Sequence, residues 1–276
     1  LGAGGLGYLQ GYWALWYALG DIGGGVLNFS IIGRRMRKLS QLFGALTAIE
    51  YLEKRYPSGV LRLISGLLAV FLLGFYVLAQ FIAGGKGMAL VTGIPYPIAL
   101  AIAVSVIVLY TFMGGYLAVA YTDFFQSLIM LFGVLWIFIA VLYELGGFTA
   151  ANNALHDLDP TLLSMWGKDL GFEGQWGVVA GAILIFSVGY LGWPHVVTRH
   201  MAMKSPVTAR EAGAWATVWN LFFVPTPYLI GIFAILILPD MNDPEMAIFQ
   251  VANKLLPAAA TGLVMAAIMA AIMSTA

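Results

Sequence analysis

Long apolar runs separated by short charged stretches make up this chain. Runs without Asp, Glu, Lys or Arg extend over residues 63–85, 87–122, 124–143, 174–198, 212–239 and 255–276, and a further run at 11–33 is interrupted only by Asp21. A membrane-spanning helix needs about 20 mostly apolar residues at about 1.5 Å rise each. The 87–122 run is too long for one crossing. Gly93-Ile94-Pro95-Tyr96 reads as a turn inside it, so the next helix is placed at 97–113, and Gly114-Gly115 is expected to break that helix before Asp123. The expected spans are therefore about 11–33, 60–92, 97–113, 123–146, 176–193, 212–238 and 258–276, forming one transmembrane domain over 1–276. Two connections are expected to be structured. Residues 40–56 carry Leu42, Leu46, Ile49 and Leu52 with charges between them, the pattern of an interfacial helix. The 147–175 connection, with Leu155, Leu158, Leu162, Leu163 and Trp166, is expected to pack over the bundle.

Composition strengthens the membrane reading. Of the 276 residues 61% are hydrophobic and 9% charged, against about a quarter charged in soluble domains. Net charge is zero and the basic residues form no single patch, so nothing points to nucleic acid. With no cysteine, disulfides and thiolate metal sites are excluded. His156, His195 and His200 lack metal-ligand spacing. No nucleophile–base pair falls inside the spans, so no enzyme is expected. Leu1 in place of Met, and an apolar run still open at Ala276, lead us to expect that both ends are cut from a longer parent whose N- and C-terminal helices are missing.

The basic residues orient the spans. Arg34, Arg35, Arg37, Lys38, Lys54, Arg55 and Arg62 flank the first connection, and Arg199, Lys204 and Arg210 lie in the fifth. These ten, of thirteen in the chain, fall on one side if the spans alternate. Residues 34–62 and 194–211 are therefore expected in the cytoplasm, and the 147–175 and 239–257 loops outside. The localisation that follows is the plasma (inner) membrane, multi-pass.

A charge near the bilayer centre is costly and marks a functional candidate. Asp21 is such a carboxylate; the alternative is a structural group bonded to neighbouring helices or facing a crevice. Asp123 is expected to begin the fourth helix, where it could be an N-terminal cap. Lys86 is placed near the outer interface, where snorkelling accounts for it. Gly23-Gly24-Gly25 lets a neighbouring backbone approach. Gly189-Tyr190-Leu191-Gly192-Trp193-Pro194-His195 weakens the fifth span with two glycines and a proline, as in the discontinuous helices that transporters use to hold solute and ion, or as a simple kink. Ser274 and Thr275 beside small residues offer the oxygen ligands that sodium, a hard cation, requires; alternatively their hydroxyls bond back one turn.

These pieces occur together in one known pattern. Tyr76…Gln80-Phe81-Ile82-Ala83-Gly84-Gly85-Lys86 is followed by Tyr110-Thr111-Phe112-Met113-Gly114-Gly115-Tyr116-Leu117-Ala118-Val119 with Thr122-Asp123-Phe124-Phe125-Gln126. Then come the Gly189–His195 stretch with Arg199-His200-Met201-Ala202, and finally Ala267-Ile268-Met269-Ala270-Ala271-Ile272-Met273-Ser274-Thr275. Over essentially its whole length the chain resembles the sodium:solute symporters, the group holding the sodium/proline and sodium/pantothenate symporters.

The resemblance implies an all-α polytopic membrane protein with a partial inverted-repeat core of five plus five helices (LeuT-like), of which about seven transmembrane helices, core helices two to eight, are present. It implies Na+ as coupling ion, bound by the Ala271 carbonyl and the Ser274 and Thr275 hydroxyls. It places Asp123 on the ion's exit path, and Tyr76, Gln80, Phe186, Tyr190 and Pro194 along the solute cavity. The implied activity is sodium-coupled symport of a small organic solute (an amino acid such as proline, pantothenate or another carboxylate). Asp21 has no counterpart in that pattern, and Phe186 stands where the proline transporters have tryptophan. A transporter-like sensor domain of a signalling protein and a proton-coupled permease, with Asp21 as carrier, are the alternatives.

Overall fold

The computed structural model describes residues 2–166 and 175–275, with the side chains of residues 110, 114–118, 175, 176, 178 and 273–275 outside the description. All regular elements among the described residues are helical. In chain order they are α1 (Gly2–Gln10), α2 (Leu15–Leu27), α3 (Arg34–Phe43), α4 (Ala48–Arg55), α5 (Gly59–Thr92), α6 (Tyr96–Glu144), α7 (Phe148–Leu158), α8 (Gln175–Ile183), α9 (Pro194–Ala202), α10 (Pro206–Phe223), α11 (Pro225–Ile237), α12 (Ala247–Leu255) and α13 (Ala258–Thr275). A 3₁₀ turn at Gly11–Ala14 and a π-helical turn at Asn28–Gly33 join α1, α2 and α3 into one long apolar helix, Gly2–Phe43.

Five helical stretches are long and apolar enough to cross a membrane: Gly2–Phe43, Gly59–Thr92, Tyr96–Met113, Val119–Glu144 and Pro206–Ile237. A bent pair, Val179–Gly192 with Pro194–Ala202, makes a sixth, and the shorter apolar helix Ala258–Ile272 lies where the seventh was expected.

Three sequence expectations change. The first span is not confined to 11–33. Its helix begins at Gly2 because the glycines of α1 are buried in packing, and it continues through Arg34–Phe43, where the charges take the helix out of the apolar zone. The Gly114-Gly115 break does not occur, since α6 is helical from Tyr96 to Glu144. Glycine weakens a helix by about 1 kcal/mol, but in an apolar medium the backbone has no competing partner and stays helical. Asp123 consequently lies in mid-helix and is not an N-terminal cap. The 40–56 stretch is two helices, not one. Gly44 turns the chain at φ 61°, a left-handed conformation suited to glycine. Thr47 then caps α4 by accepting from the Glu50 N–H at 3.1 Å, while the Glu50 carboxylate accepts from the Leu46 N–H at 2.7 Å, close to a capping box.

The chain divides into two compact units, one of residues 1–13, 73–168 and 226–276, the other of residues 14–72 and 169–225. The first is held by small-residue contacts. Gly4 and Gly231 bring the backbones of α1 and α11 together so closely that a Cβ on Gly231 would overlap the Gly4 carbonyl. On α6, a Cβ on Gly133 would overlap the Ala267 methyl of α13. Ile137, Val141, Ile230, Ile232, Phe233, Phe249 and Val264 are fully buried between these helices.

Polar anchors close the ends of this unit. Tyr8 Oη donates to the carbonyls of Leu238 and Pro239 at 2.7 and 2.8 Å. Lys254 Nζ donates to the last carbonyl of α11, at Ile237, over 2.7 Å, a cation at a helix C-terminus. Lys86 does more than snorkel: its ammonium lies 2.9 Å from both Asp243 and Glu245. Of the 147–175 connection, residues 147–166 are described and pack through Leu155 and Leu162, both buried, and Tyr12 Oη donates to Asn152 Oδ1 at 2.7 Å. Leu158 and Trp166 stay exposed.

In the second unit, Met36, Ala45, Val197 and Met201 form a buried cluster joining α3 and α9 to the start of α4. Arg37 donates to the Met201 carbonyl at 2.7 Å, and Ser40 Oγ donates to the Ala45 carbonyl at 2.6 Å.

In full-length protein, Gly133→Val is expected to cost about 1–3 kcal/mol by overpacking against Ala267. Lys86→Gln should cost no more than about 1 kcal/mol, because its ion pairs are partly exposed. Thermal unfolding in detergent tests this, and a larger Tm loss in Lys86→Gln than in Gly133→Val would contradict the packing account.

Candidate functional site

The fifth span is broken where glycine and proline interrupt its sequence. After α8 the helix widens to a π turn at Leu184–Val188, tightens to a 3₁₀ turn at Gly189–Gly192, and becomes extended at Trp193 (φ −65°, ψ 116°). It restarts as α9 with Pro194 at its first position, bent by 45°. Proline fits a helix start because its missing N–H would be unpaired there anyway.

The break leaves a specific backbone deficit. In an uninterrupted α-helix the N–H four residues on, at position 194, would bond the Tyr190 carbonyl, and proline has none. Asn28 fills the gap: its side-chain amide Nδ2 donates to the Tyr190 carbonyl at 3.0 Å. The Trp193 N–H approaches the same oxygen at 3.4 Å. Asn28 is 2% exposed, and its Oδ1 lies 3.2 Å from His200 Nε2 on α9. That amide therefore ties the break, the restarted helix and the π turn at its own position into one polar junction. Gly33 makes room for the His200 ring, to which a Cβ there would come within 3.1 Å.

Small residues let Asn28 reach this point. Gly20, Gly24 and Asn28 recur at intervals of four, on one helix face. A Cβ on Gly20 would meet Phe186 Cβ at 3.0 Å, and one on Gly24 would overlap the Phe186 carbonyl. Of the triplet singled out in the sequence, Gly24 makes the close approach; Gly25 faces the other way, toward Asn220.

The side chains around the break are aromatic. Phe186 packs edge-on against Tyr17 at 5.5 Å, and Tyr190 lies 4.8 Å from the Trp193 ring, which lies 5.2 Å from His195. Phe186, Tyr190 and Pro194 are each half-buried. Ser187 Oγ donates to the Ile183 carbonyl one turn earlier. Asp21, on α2 one residue beyond Gly20, is half-buried and has no hydrogen-bond or ion-pair partner among the described residues.

The remaining candidates belong to the other unit. Tyr76 and Gln80 sit one turn apart on α5, both half-buried. Asp123 is half-buried within α6, next to Thr122, whose hydroxyl donates to the Val119 carbonyl at 2.9 Å. Ala271 is half-buried near the end of α13, a helix packed along α6. The side chains of Ser274 and Thr275 lie outside the described residues. No group of three or more His, Cys, Asp or Glu positioned for a metal occurs among the described residues.

The structure thus brings Phe186, Tyr190 and Pro194 together at one break. It also adds two residues to which sequence reasoning gave no role, Asn28 and His200. The signal for Asn28 was present in the four-residue repeat with Gly20 and Gly24. Nothing in the sequence paired it with Tyr190, 162 positions away.

The model of the sodium:solute symporter family matches residues 1–276, and the chain belongs to that family. It is similar to a sodium/proline symporter of Staphylococcus aureus, at 32% identity covering 97% of this chain and 52% of the relative. The counterpart in strain Newman matches to the same extent. The chain spans about half the length of the curated relatives it matches. Among solved structures it resembles a Na+-coupled sialic acid symporter in a substrate-bound outward-open state. The TM-score is 0.79 and the identity 19%, with 100% of this chain and 59% of that one covered. At that identity the likeness shows a shared fold.

Asn28→Ala in the full-length protein should leave the Tyr190 carbonyl with only the long Trp193 N–H contact and lower stability by about 1 kcal/mol or more. Asn28→Asp should be at least as damaging at a pH where the carboxyl is ionised, because a carboxylate, unlike the protonated acid, cannot donate to that carbonyl. Thermal unfolding of both variants checks this; a wild-type Tm in Asn28→Asp would remove the amide–carbonyl bond from the account.

Proposed function

We propose that the protein to which this chain belongs couples sodium entry to the uptake of a small organic solute across the plasma membrane by alternating access, and that this chain supplies core helices two to eight of the transporter. The observation carrying this reading is the broken fifth span, Gly189–Trp193, with its aromatic surroundings, in a chain of the sodium:solute symporter family. A discontinuous helix presents backbone and side-chain groups to solute within the membrane. Sodium as the coupling ion is supported by the family description and by the Na+-coupled structural relative.

In this reading sodium is bound by the Ala271 carbonyl and the hydroxyls of Ser274 and Thr275, together with carbonyls from a helix that precedes this chain in the parent. Asp123 serves the ion's exit to the cytoplasm. Solute contacts Phe186, Tyr190 and Pro194 at the break, and Tyr76 and Gln80 contribute from α5. The solute class is an amino acid such as proline, pantothenate or another carboxylate, a choice supported by the relatives named sodium/proline symporter. Residues 34–62 and 194–211 face the cytoplasm, as their arginines and lysines favour.

Coupling requires the ion to prefer the solute-bound conformation, since a ligand shifts an equilibrium only by its differential affinity. The membrane potential adds about 2.3 kcal/mol per charge per 100 mV. A proton-coupled permease is the second reading, favoured by Asp21, a carboxylate inside a span without a partner among the described residues.

Uptake by full-length protein in proteoliposomes separates the two, with labelled proline, pantothenate, monocarboxylates and sugars tested under sodium or proton gradients imposed singly. Sodium-driven uptake of one of these solutes is the expected outcome; uptake driven by protons alone would overturn the sodium assignment and move the case to Asp21. Ser274→Ala or Thr275→Ala should raise the sodium concentration needed for half-maximal uptake about tenfold or more, as loss of a direct ligand costs at least about 1.4 kcal/mol. An unchanged sodium dependence in both variants would refute the site. Asp123→Asn should slow turnover more than it weakens solute binding, which the split between maximal rate and half-saturating solute reports; the reverse split would place Asp123 in the solute site.

A further inference from the structure

An open pocket away from the break lies in the same unit. It is an open groove of about 480 Å³ between the α2–α3 helix and α10, lined by Val26, Phe29 and Arg34 on one side and by Arg210, Ala214 and Thr217 on the other. The two helices run antiparallel, so Arg34, at the end of the first span, and Arg210, near the start of the sixth, meet at the same end of the groove. Phe29 lies so close to Gly213 that a Cβ there would overlap its ring, which fixes the groove floor.

The lining divides by chemistry along its length. Arg34 and Arg210 are exposed, and neither has a hydrogen-bond or ion-pair partner among the described residues. No carboxylate lines the groove. Its hydroxyls are already engaged, Ser30 Oγ donating to the Val26 carbonyl at 2.8 Å and Thr217 Oγ1 to that of Gly213 at 3.0 Å. From Arg34 back to Val26 the helix covers eight residues, roughly 12 Å at 1.5 Å each. Over that distance the flanking surface is apolar and open, with Val26 47%, Ile31 40%, Val218 46% and Trp215 75% exposed. Two unpaired guanidiniums at one end of an apolar trough match one phosphodiester carrying acyl chains. Guanidinium pairs phosphate through two parallel N–H···O bonds, and basic pockets between spans on the cytoplasmic side recognise anionic headgroups.

A second feature of the same helix agrees. Along α3 from the next residue, a groove of about 580 Å³ is lined by Arg35, Lys38, Leu39, Gln41 and Leu42, and Leu42 is 76% exposed. This face of α3 has the composition of a helix lying at a membrane surface.

We propose that the Arg34–Arg210 groove is a binding site for an anionic phospholipid of the inner leaflet, whose phosphate sits between the two guanidiniums and whose acyl chain runs along Phe29, Val26 and Ala214. Because α10 and the helix restarted after the break belong to the same unit, the lipid would fasten to the part of the transporter that holds solute, making uptake dependent on lipid headgroup charge.

The test is equilibrium binding of dioleoylphosphatidylglycerol against dioleoylphosphatidylcholine to full-length protein in detergent, with inorganic phosphate as a soluble competitor. Wild type should prefer the anionic lipid. Arg34→Gln and Arg210→Gln should each reduce that preference on the order of fivefold, and the pair more than either. Arg55→Gln/Arg62→Gln, which removes two charges from the same side but away from the groove, should retain it. Arg34→Lys/Arg210→Lys should recover part of it as a check on folding. Equal preference in wild type and both single variants would overturn the proposal, as would equal loss in Arg55→Gln/Arg62→Gln. Full displacement by inorganic phosphate at matched concentration would show a phosphate site without a lipid. A groove filled by another segment of the protein would show as lipid binding indifferent to both arginines, and would sink the assignment as well.

Discussion

Inside a bilayer a backbone carbonyl without a partner has no water to turn to, and it costs several kcal/mol if left alone. That constraint shapes this chain most visibly at Tyr190. Pro194 withholds the N–H that would have paired its carbonyl, and the helix is broken there. The debt is settled by a side chain from another helix, Asn28, whose amide reaches the carbonyl at 3.0 Å. Gly20 and Gly24 bring the backbones close enough for it to do so, and the π turn begins at Asn28 itself. One amide thus touches both the break and His200 on the restarted α9.

Around that junction, packing follows the economy of a membrane protein. Helices in lipid gain little from hydrophobic burial alone and rely on close van der Waals contact between small residues. Gly133 against Ala267 and Gly4 against Gly231 serve the first unit as Gly20 and Gly24 serve the second. Large aromatics are placed where the backbone is irregular, at Phe186, Tyr190 and Trp193. A surface of rings half-buried at a helix break can exchange contacts with a solute, whereas a fully interdigitated core cannot.

Charge is distributed by a different logic. Acidic residues in the 240–245 stretch pair with Lys86, and Lys254 is spent on the end of α11. Among the basic residues of the other unit, Arg37 is consumed internally by the Met201 carbonyl, while Arg34 and Arg210 point into a groove with no partner of their own among the described residues. Under the lipid-site proposal, these two arginines hold what the membrane offers.

Fold class and the approximate place of most spans were legible in the sequence alone, because apolar length is a local property that a bilayer reads directly. The break at Gly189–Pro194 was legible for the same reason, as two glycines and a proline act on their own backbone. Gly114-Gly115 misled because glycine weakens a helix only where another partner competes for its hydrogen bonds; helix continues there, and Asp123 loses the capping role its position suggested. The partners of the break were decided only in three dimensions. Asn28 and Tyr190, like Arg34 and Arg210, are far apart in the chain, and which side chain meets which carbonyl or charge depends on how small residues let helices approach, a property of pairs of helices that no single stretch of sequence contains.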